Sequence, residues 1–380
     1  PESKRNYFRK FIIISMGVEK NVFKKINFQF MELSRPLLSW FDTNKRVLPF
    51  RENTKPYNVW ISEVMLQQTK VDTVIPYFNA WIQKFPNINS VADASEKSIL
   101  KSWEGLGYYS RARNLHTTAI RVSKELDGNF PDHYKELKTL KGVGDYTASA
   151  IASFCFTEPV AVVDGNVYRV PSRIFGVETP INSTPGIKEF KALAQELIDH
   201  KDPATFNQAI MEFGAIQCKP QNPLCETCPF NDVCLALKND QIKELPVKIK
   251  KTKIRHRYFN YVVPHYRDEQ TILEERTGKG IWSGLYQFPL IETNKPVGEA
   301  ELIDTENFQE LVGDQNFELH IYNEKEVVHK LSHQHLHTTF WTVNIDAESL
   351  ESINFNELQN YPVPVLIENF LNEFLPEDYK

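Results

Sequence analysis

Cysteine is scarce in this 380-residue chain, with five in all. A secreted disulfide framework would spread its cysteines along the sequence. Here four of the five fall in one short stretch, Cys218, Cys225, Cys228 and Cys234, a C-x6-C-x2-C-x5-C run. Long apolar runs are lacking too. No stretch approaches the ~18 residues of a membrane span. Phe11–Met16 is apolar but too short, and no small-residue cleavage signal follows it. No internal repeat is visible, and alternation of the strand type is scarce before residue 258. What remains is a chain long enough for two domains, at ~100–200 residues each.

Thiolates are soft ligands, and four in one loop suit a tetrahedral zinc or an iron–sulfur cluster, with paired disulfides as a third reading. The cysteine distribution fits a metal site in a reducing cytosol better than disulfides. Cys155 ends the apolar run Ala150-Ile151-Ala152-Ser153-Phe154 and reads as a buried small hydrophobe.

The net charge of −5 hides an asymmetry: residues 1–260 carry +10 and residues 261–380 carry −15. A basic first part suits a polyanion partner, and equally suits solvated faces that simply differ. Residues 1–30 read as an extension of unknown role before Met31, the natural start. Residues 31–237 have helical spacing, as in Trp60, Val64 and Val71. Residues 238–257 form a basic linker able to lie on phosphates, with Lys248, Lys250, Lys251, Lys253, Arg255 and Arg257. Residues 258–380 read as α+β. Strands are predicted around Tyr258–Val263, Thr271–Leu273, Glu326–Leu331 and Thr338–Val343, and a helix over Val365–Phe374.

Leu140-Lys141-Gly142-Val143-Gly144-Asp145-Tyr146 reads as a hairpin between helices. Gly142 and Gly144 would let backbone amides face an anion such as a DNA phosphate, though a plain helix–turn–helix corner has the same pattern. Glu63 falls inside the apolar run Val59–Leu66. If that face is buried, its carboxyl is desolvated and its pKa rises toward the range of a general acid; on a wet face it is an ordinary charge. Asp164 precedes Gly165-Asn166 and suits a helix N-cap, at the mouth of which a substrate could sit.

The order of hairpin, Val162-Val163-Asp164-Gly165-Asn166-Val167 and cysteine loop resembles the helix-hairpin-helix (endonuclease III-like) superfamily of DNA glycosylases. Leu48-Pro49-Phe50-Arg51, Pro56–Thr69 and Gly105–Asn114 sharpen the resemblance to adenine DNA glycosylases of the MutY type. It covers residues 32–237, and 258–375 more weakly. It implies an all-α helix-hairpin-helix glycosylase core at 31–237, including a 4Fe–4S loop at 218–234 that holds one cluster on the four cysteines. It also implies a Nudix (MutT-like) α+β domain at 258–380 that recognises 8-oxoguanine. The implied partner is double-stranded DNA with A:8-oxoguanine or A:G mismatches, bound by a monomer in the cytoplasm, on the nucleoid in a bacterium, with no membrane involved.

The resemblance also implies roles. Glu63 protonates the adenine ring, Asp164 stabilises the sugar cation or bonds to it covalently, and Tyr146 lies at the sugar. Two carboxyls in different environments suit N-glycoside cleavage. A lyase branch carries lysine where Tyr146 stands, and a phenol cannot form its imine, so base removal without strand cutting is expected. Tyr108 matches the wedge that fills the gap left by a flipped base. Gln68, Thr69, Arg46, Leu48, Arg51, Asn166 and Gln208 match base or DNA contacts. Leu331-Ser332-His333 resembles the Phe-Ser-His loop that reads the oxidised guanine, with leucine for phenylalanine.

The acidic helix of a Nudix hydrolase is absent after Gly284, so no nucleotide hydrolysis is expected. His329, His333, His335 and His337 lack an accompanying carboxylate and are not expected to bind metal. Phe50 stands for the family's tryptophan and Lys141 for its proline, while Pro171 is expected to interrupt the helix that Asp164 opens. Two rivals are an endonuclease III-like glycosylase/lyase and a non-catalytic iron–sulfur DNA-binding or redox-sensing protein.

Overall fold

The computed structural model describes residues 33–249, 254–323, 325–347 and 352–375. The extension 1–30, Met31, and the linker residues Lys250, Lys251 and Lys253 lie outside them. The chain divides into two compact units, one of residues up to Gln67 with Asn129–Ile249, the other of Gln68–Gly128 with the C-terminal residues. Contact density therefore groups 68–128 with the C-terminal part, whereas texture along the sequence divides the chain at 237 and 257.

The first unit is helical. A helix over 33–44 is followed by Pro56–Met65, Asp145–Phe156, Gly165–Phe175, Thr184–Leu197 and Pro203–Glu212. Prolines at the first positions and side-chain caps start them: the Asp164, Ser183 and Asp202 side chains accept the Val167, Gly186 and Thr205 amides. Leu37, Trp40, Val167, Val170, Ile174, Phe206, Ile210, Phe213 and Phe230 form the core, and Cys218 and Cys228 pack against it. Pro171 does not interrupt its helix, which runs through it to Gly176. The lost amide falls in the last turns, and Val167, Val170 and Ile174, on both sides of the proline, are anchored in one core.

Pro203–Glu212 continues into a π-type turn, Phe213–Gln217, that delivers the chain to Cys218. A Cβ at Gly214 would lie 2.6 Å from the Asn166 Cβ. Glycine there lets the turn touch the start of the Gly165–Phe175 helix. Residues 238–249 of the predicted linker are pinned to this unit: Leu245 is buried, and the Ile181 and Ile249 amides bond Val247 O and Asn182 Oδ1.

In the second unit, helices Val71–Lys84, Ile88–Ala92, Glu96–Ser102 and Ser110–Glu125 share a body with a mixed sheet. Strand Arg255–His265 runs parallel to Gln334–Ile345 with Tyr261 opposite Phe340, and antiparallel to Leu290–Thr293. Phe317–Ile321 and Val327–Lys330 pair antiparallel with successive stretches of Gln334–Ile345. Side chains alternate across the sheet. Phe259, Tyr261, Val263, Leu336 and Phe340 pack under helix Val365–Phe374, while Val262, Trp341, Val343 and Ile345 pack under Glu299–Ile303 and Glu306–Val312. The predicted strand at Thr271–Leu273 is only Gln270–Thr271. Arg255 and Arg257 are strand residues, and Arg257 pairs with Glu292 at 2.5 Å.

Candidate active site

Glu63 lies on the Pro56–Met65 helix and is 6% exposed. Burial pushes its carboxyl up to about 7. The negative charge of Asp164 adds to the rise, while the Tyr146 hydrogen bond and the Arg51 charge oppose it. The Tyr146 phenol donates to Glu63 Oε2 at 2.5 Å. Burial and the neighbouring carboxyls hold that phenol well above its ordinary pKa, so it stays a donor.

Asp164 caps the Gly165–Phe175 helix as the sequence predicts. Oδ1 accepts the Val167 amide at 2.7 Å, and Oδ2 accepts Asn166 Nδ2 at 2.9 Å. Burial raises its pKa, and these donors counteract the rise. Asn166 in turn accepts from Arg169 Nη2 at 2.8 Å, and Arg169 donates to Cys218 O and Gly214 O, both at 2.7 Å. The carboxylate thus connects through two side chains to the cysteine loop.

Arg46 and Arg51 do not point freely to solvent. Arg46 makes three bonds to Glu212, at 3.0, 2.7 and 3.0 Å, and Arg51 Nη2 makes a fourth at 2.8 Å. Burial would raise the Glu212 pKa, but the two guanidiniums hold it down to about 2. Leu48 is buried, and Gln208 is half-buried one turn before Glu212. At the hairpin, Gly142 has φ +78° and the Gly144 Cβ position opens to space, with Gly144 capping Asp145–Phe156.

The four thiols are partly to fully buried. Arg173 Nη1 donates to Cys218 Sγ at 3.5 Å and the Phe230 amide to Cys228 Sγ at 3.4 Å, so donors already face sulfur. Burial raises the pKa of Cys225, Cys228 and Cys234, and neighbouring sulfurs raise it further. Thiolates crowded this way need a cationic centre to be stable. Among the described residues, no three His, Cys, Asp or Glu side chains converge enough for a single metal ion. Four thiols in one loop, met by N–H donors at Cys218 and Cys228, are a donor set that fits an iron–sulfur cluster.

The second unit holds the other predicted contacts. Tyr108 is 52% exposed with φ +48°, directly after the Gly105-Leu106-Gly107 turn, and its hydroxyl meets Ser332 Oγ at 2.9 Å. Gln68 is also left-handed, at φ +59°, and exposed. Such strain in non-glycine residues clusters at ligand-handling sites. Arg111 Nη2 reaches Thr69 Oγ1 at 3.4 Å. His333 is exposed, and its carbonyl accepts the Arg255 amide.

The histidine reading needs correction. His333 precedes the strand that carries His335 and His337, and a carboxylate does accompany them. His337 Nδ1 lies 2.7 Å from Glu326 Oε2, and its Nε2 lies 2.7 Å from His256 Nδ1. Both ring nitrogens of His337 are therefore engaged in hydrogen bonds.

Residues 61–200 match the HhH-GPD superfamily of base excision DNA repair proteins, 218–234 the iron–sulfur binding domain of endonuclease III, and 260–373 the NUDIX domain. Adenine DNA glycosylase from Buchnera aphidicola subsp. Baizongia pistaciae is 37% identical over 260 residues, 67% of this chain and 72% of that protein. The chain belongs to the adenine DNA glycosylase family. The human adenine DNA glycosylase is 45% identical over 218 residues, 55% of this chain and 40% of that protein. The chain matches under half the length of its mammalian and plant relatives. A thermostable thymine-DNA glycosylase structure superposes with TM-score 0.53 at 28% identity, over 56% of this chain and 99% of its own.

The helical core is thus of the HhH-GPD type, the C-terminal sheet is a Nudix domain, and the cysteine loop is an iron–sulfur loop carrying a 4Fe–4S cluster. Sequence reasoning missed Glu212, Arg169 and Arg173. The two arginines sit at i and i+4 on the helix after Asp164, a readable signal; Glu212 offers none, since its partners lie more than 160 residues away.

Proposed function

We propose that this chain is a DNA glycosylase that flips adenine out of A:8-oxoguanine or A:G pairs and hydrolyses its N-glycosidic bond as a monomer. The reading is carried by Glu63, a buried carboxyl raised to about 7 and held by a phenol beside the capped carboxylate Asp164. A carboxyl raised this far above its ordinary range can hold a proton near neutral pH, which suits a general acid.

Glu63 gives its proton to a ring nitrogen of the base as the bond to C1′ lengthens. Asp164, whose ionised form the Val167 and Asn166 donors favour against burial, faces the positive charge that develops on the sugar. Water completes the hydrolysis at C1′. Tyr146 holds Glu63 and offers no amine, so no imine forms and the strand stays intact. Arg51 and Gln208 would contact the base. Gly142, Gly144, Gln68 and Thr69 would hold the duplex, and Tyr108 would fill the gap. Ser332 and His333 would read the opposing guanine. The cluster, held by Cys218, Cys225, Cys228 and Cys234, supplies rigidity to a phosphate-facing loop and takes no part in bond cleavage. The Nudix domain lacks a hydrolase's acidic helix and would not hydrolyse nucleotides.

Single-turnover release of free adenine from an A:8-oxoguanine duplex tests the reading. Full activity in Glu63→Gln, or no adenine from the wild type, overturns it. A T:G duplex cut faster than A:G would favour instead the thymine specificity in the name of the solved neighbour.

A further inference from the structure

Glu212 is buried to 1% of its side chain, yet the chemistry above makes no use of it. It sits on the Pro203–Glu212 helix, and both carboxylate oxygens are occupied. Oε1 takes the Arg46 amide and Nε; Oε2 takes Arg46 Nη2 and Arg51 Nη2. This fork leaves the other amino group of Arg51, Nη1, buried with no hydrogen-bond partner. Arg51 acts electrostatically on Glu63 and on Tyr146. The titratable and charged groups facing Glu63 are Tyr146, Asp164, Arg51 and the Cys155 thiol.

We propose that Glu212 is a positioning residue for the acid Glu63, acting through Arg51: it fixes the guanidinium and cancels the positive charge that would otherwise bear on the acid. The inference rests on Glu63 as proton donor. Two guanidiniums share one carboxylate, so the group carries one net positive charge; without Glu212 it carries two. Glu212 is ionised wherever the protein is assayed, since the arginines hold it at about 2. It therefore adds no titration of its own and only sets where Glu63 titrates. Losing it favours the ionised form of Glu63, so the acid is spent at lower pH.

The test is the pH profile of single-turnover adenine release for the wild type, Glu212→Gln and Glu212→Asp. Glu212→Gln should move the alkaline limb down by ~1 pH unit, so the rate at pH 8 falls roughly tenfold further than at pH 5.5. Glu212→Asp keeps the charge and should leave the limb near that of the wild type. A uniform loss of rate with an unmoved limb reduces Glu212 to a brace and overturns the proposal.

A 13C NMR titration of the full chain labelled at glutamate Cδ, with Glu63 assigned from Glu63→Gln, reads the same shift without turnover. It decides the matter even if the wild type releases no adenine, a result that sinks the proposed function alone. If Glu212→Gln does not fold, Arg51→Gln should shift the Glu63 titration upward by the same route, and no shift overturns the idea.

Discussion

Tyr146 donates to Glu63 at 2.5 Å from a phenol whose own ionisation is suppressed by burial. The bond joins the Asp145–Phe156 helix, at the end of the hairpin, to the Pro56–Met65 helix, which are 83 residues apart at the point of contact. It also favours the ionised form of Glu63, so it limits how far burial can raise the acid.

Tyr146→Phe should therefore raise the Glu63 pKa. The alkaline limb of adenine release moves to higher pH, while the rate on the acid side falls because the carboxyl loses its aim. Neither protein should give a borohydride-trapped DNA adduct. A strong adduct that survives in Tyr146→Phe contradicts the glycosylase-only reading.

Glu63 should cost stability. Its folded pKa of about 7 lies above the ordinary 4.5, so the native state binds the extra proton between those values. Stability then falls as pH rises through that window, by up to about 3 kcal/mol. Glu63→Gln removes the cost and keeps an acceptor for Tyr146. Its Tm should exceed that of the wild type at pH 8 and match it near pH 4.5, while adenine release falls by ~10²-fold or more. Equal Tm values at pH 8 would refute the buried-acid description.

Asp164→Asn separates charge from cap. Asparagine caps as well as aspartate, so the bond from the Val167 amide should survive, while the bond from Asn166 Nδ2 to the second oxygen is lost at a cost of about 1 kcal/mol. The sugar cation loses its counter-charge, and release should slow by ~10²-fold or more. A slow variant that still folds, with a melting point lowered by only a few degrees, is the expected pair of results.

Arg173 is 2% exposed and bonds Cys218 Sγ and the carbonyls of Lys219, Pro220 and Leu245. Lysine keeps the charge but not the fork. Arg173→Lys should lose iron and visible absorbance faster under oxidation or chelation, and DNA affinity should fall with it. Unchanged iron retention would remove Arg173 from the support of the loop.

Ser332→Ala should narrow the preference for 8-oxoguanine over guanine, measured as the ratio of single-turnover rates. Tyr108→Ala should slow both substrates together, because a wedge serves flipping whichever guanine stands opposite.

Much of this was legible in the sequence. Glu63 stands out because a charge amid Val59–Leu66 breaks an apolar period. Asp164 before Gly165-Asn166 has the form of a cap, and the cysteine spacing is a local signal. Val365–Phe374 and the strand starting near Tyr258 follow from periodicity. What could not be read was long-range. Glu212 looks like any helix glutamate until Arg46 and Arg51 arrive, and Glu326 joins His337 only once two strands pair. Pro171 misled because local propensity disfavours it, while core packing on both sides holds the helix.

Within the second unit, the Tyr108 turn rests on the C-terminal chain. Glu104 Oε1 accepts the Val363 amide at 2.9 Å, Lys101 donates to Tyr361 O at 3.2 Å, and Arg113 donates to Ser283 O. A chain truncated after the iron–sulfur loop would lose this footing along with Ser332 and His333, the residues proposed to read the guanine. Deletion experiments would then score a misplaced Tyr108, the proposed wedge, as lost recognition, and only point changes that spare 361–363 can keep the two apart.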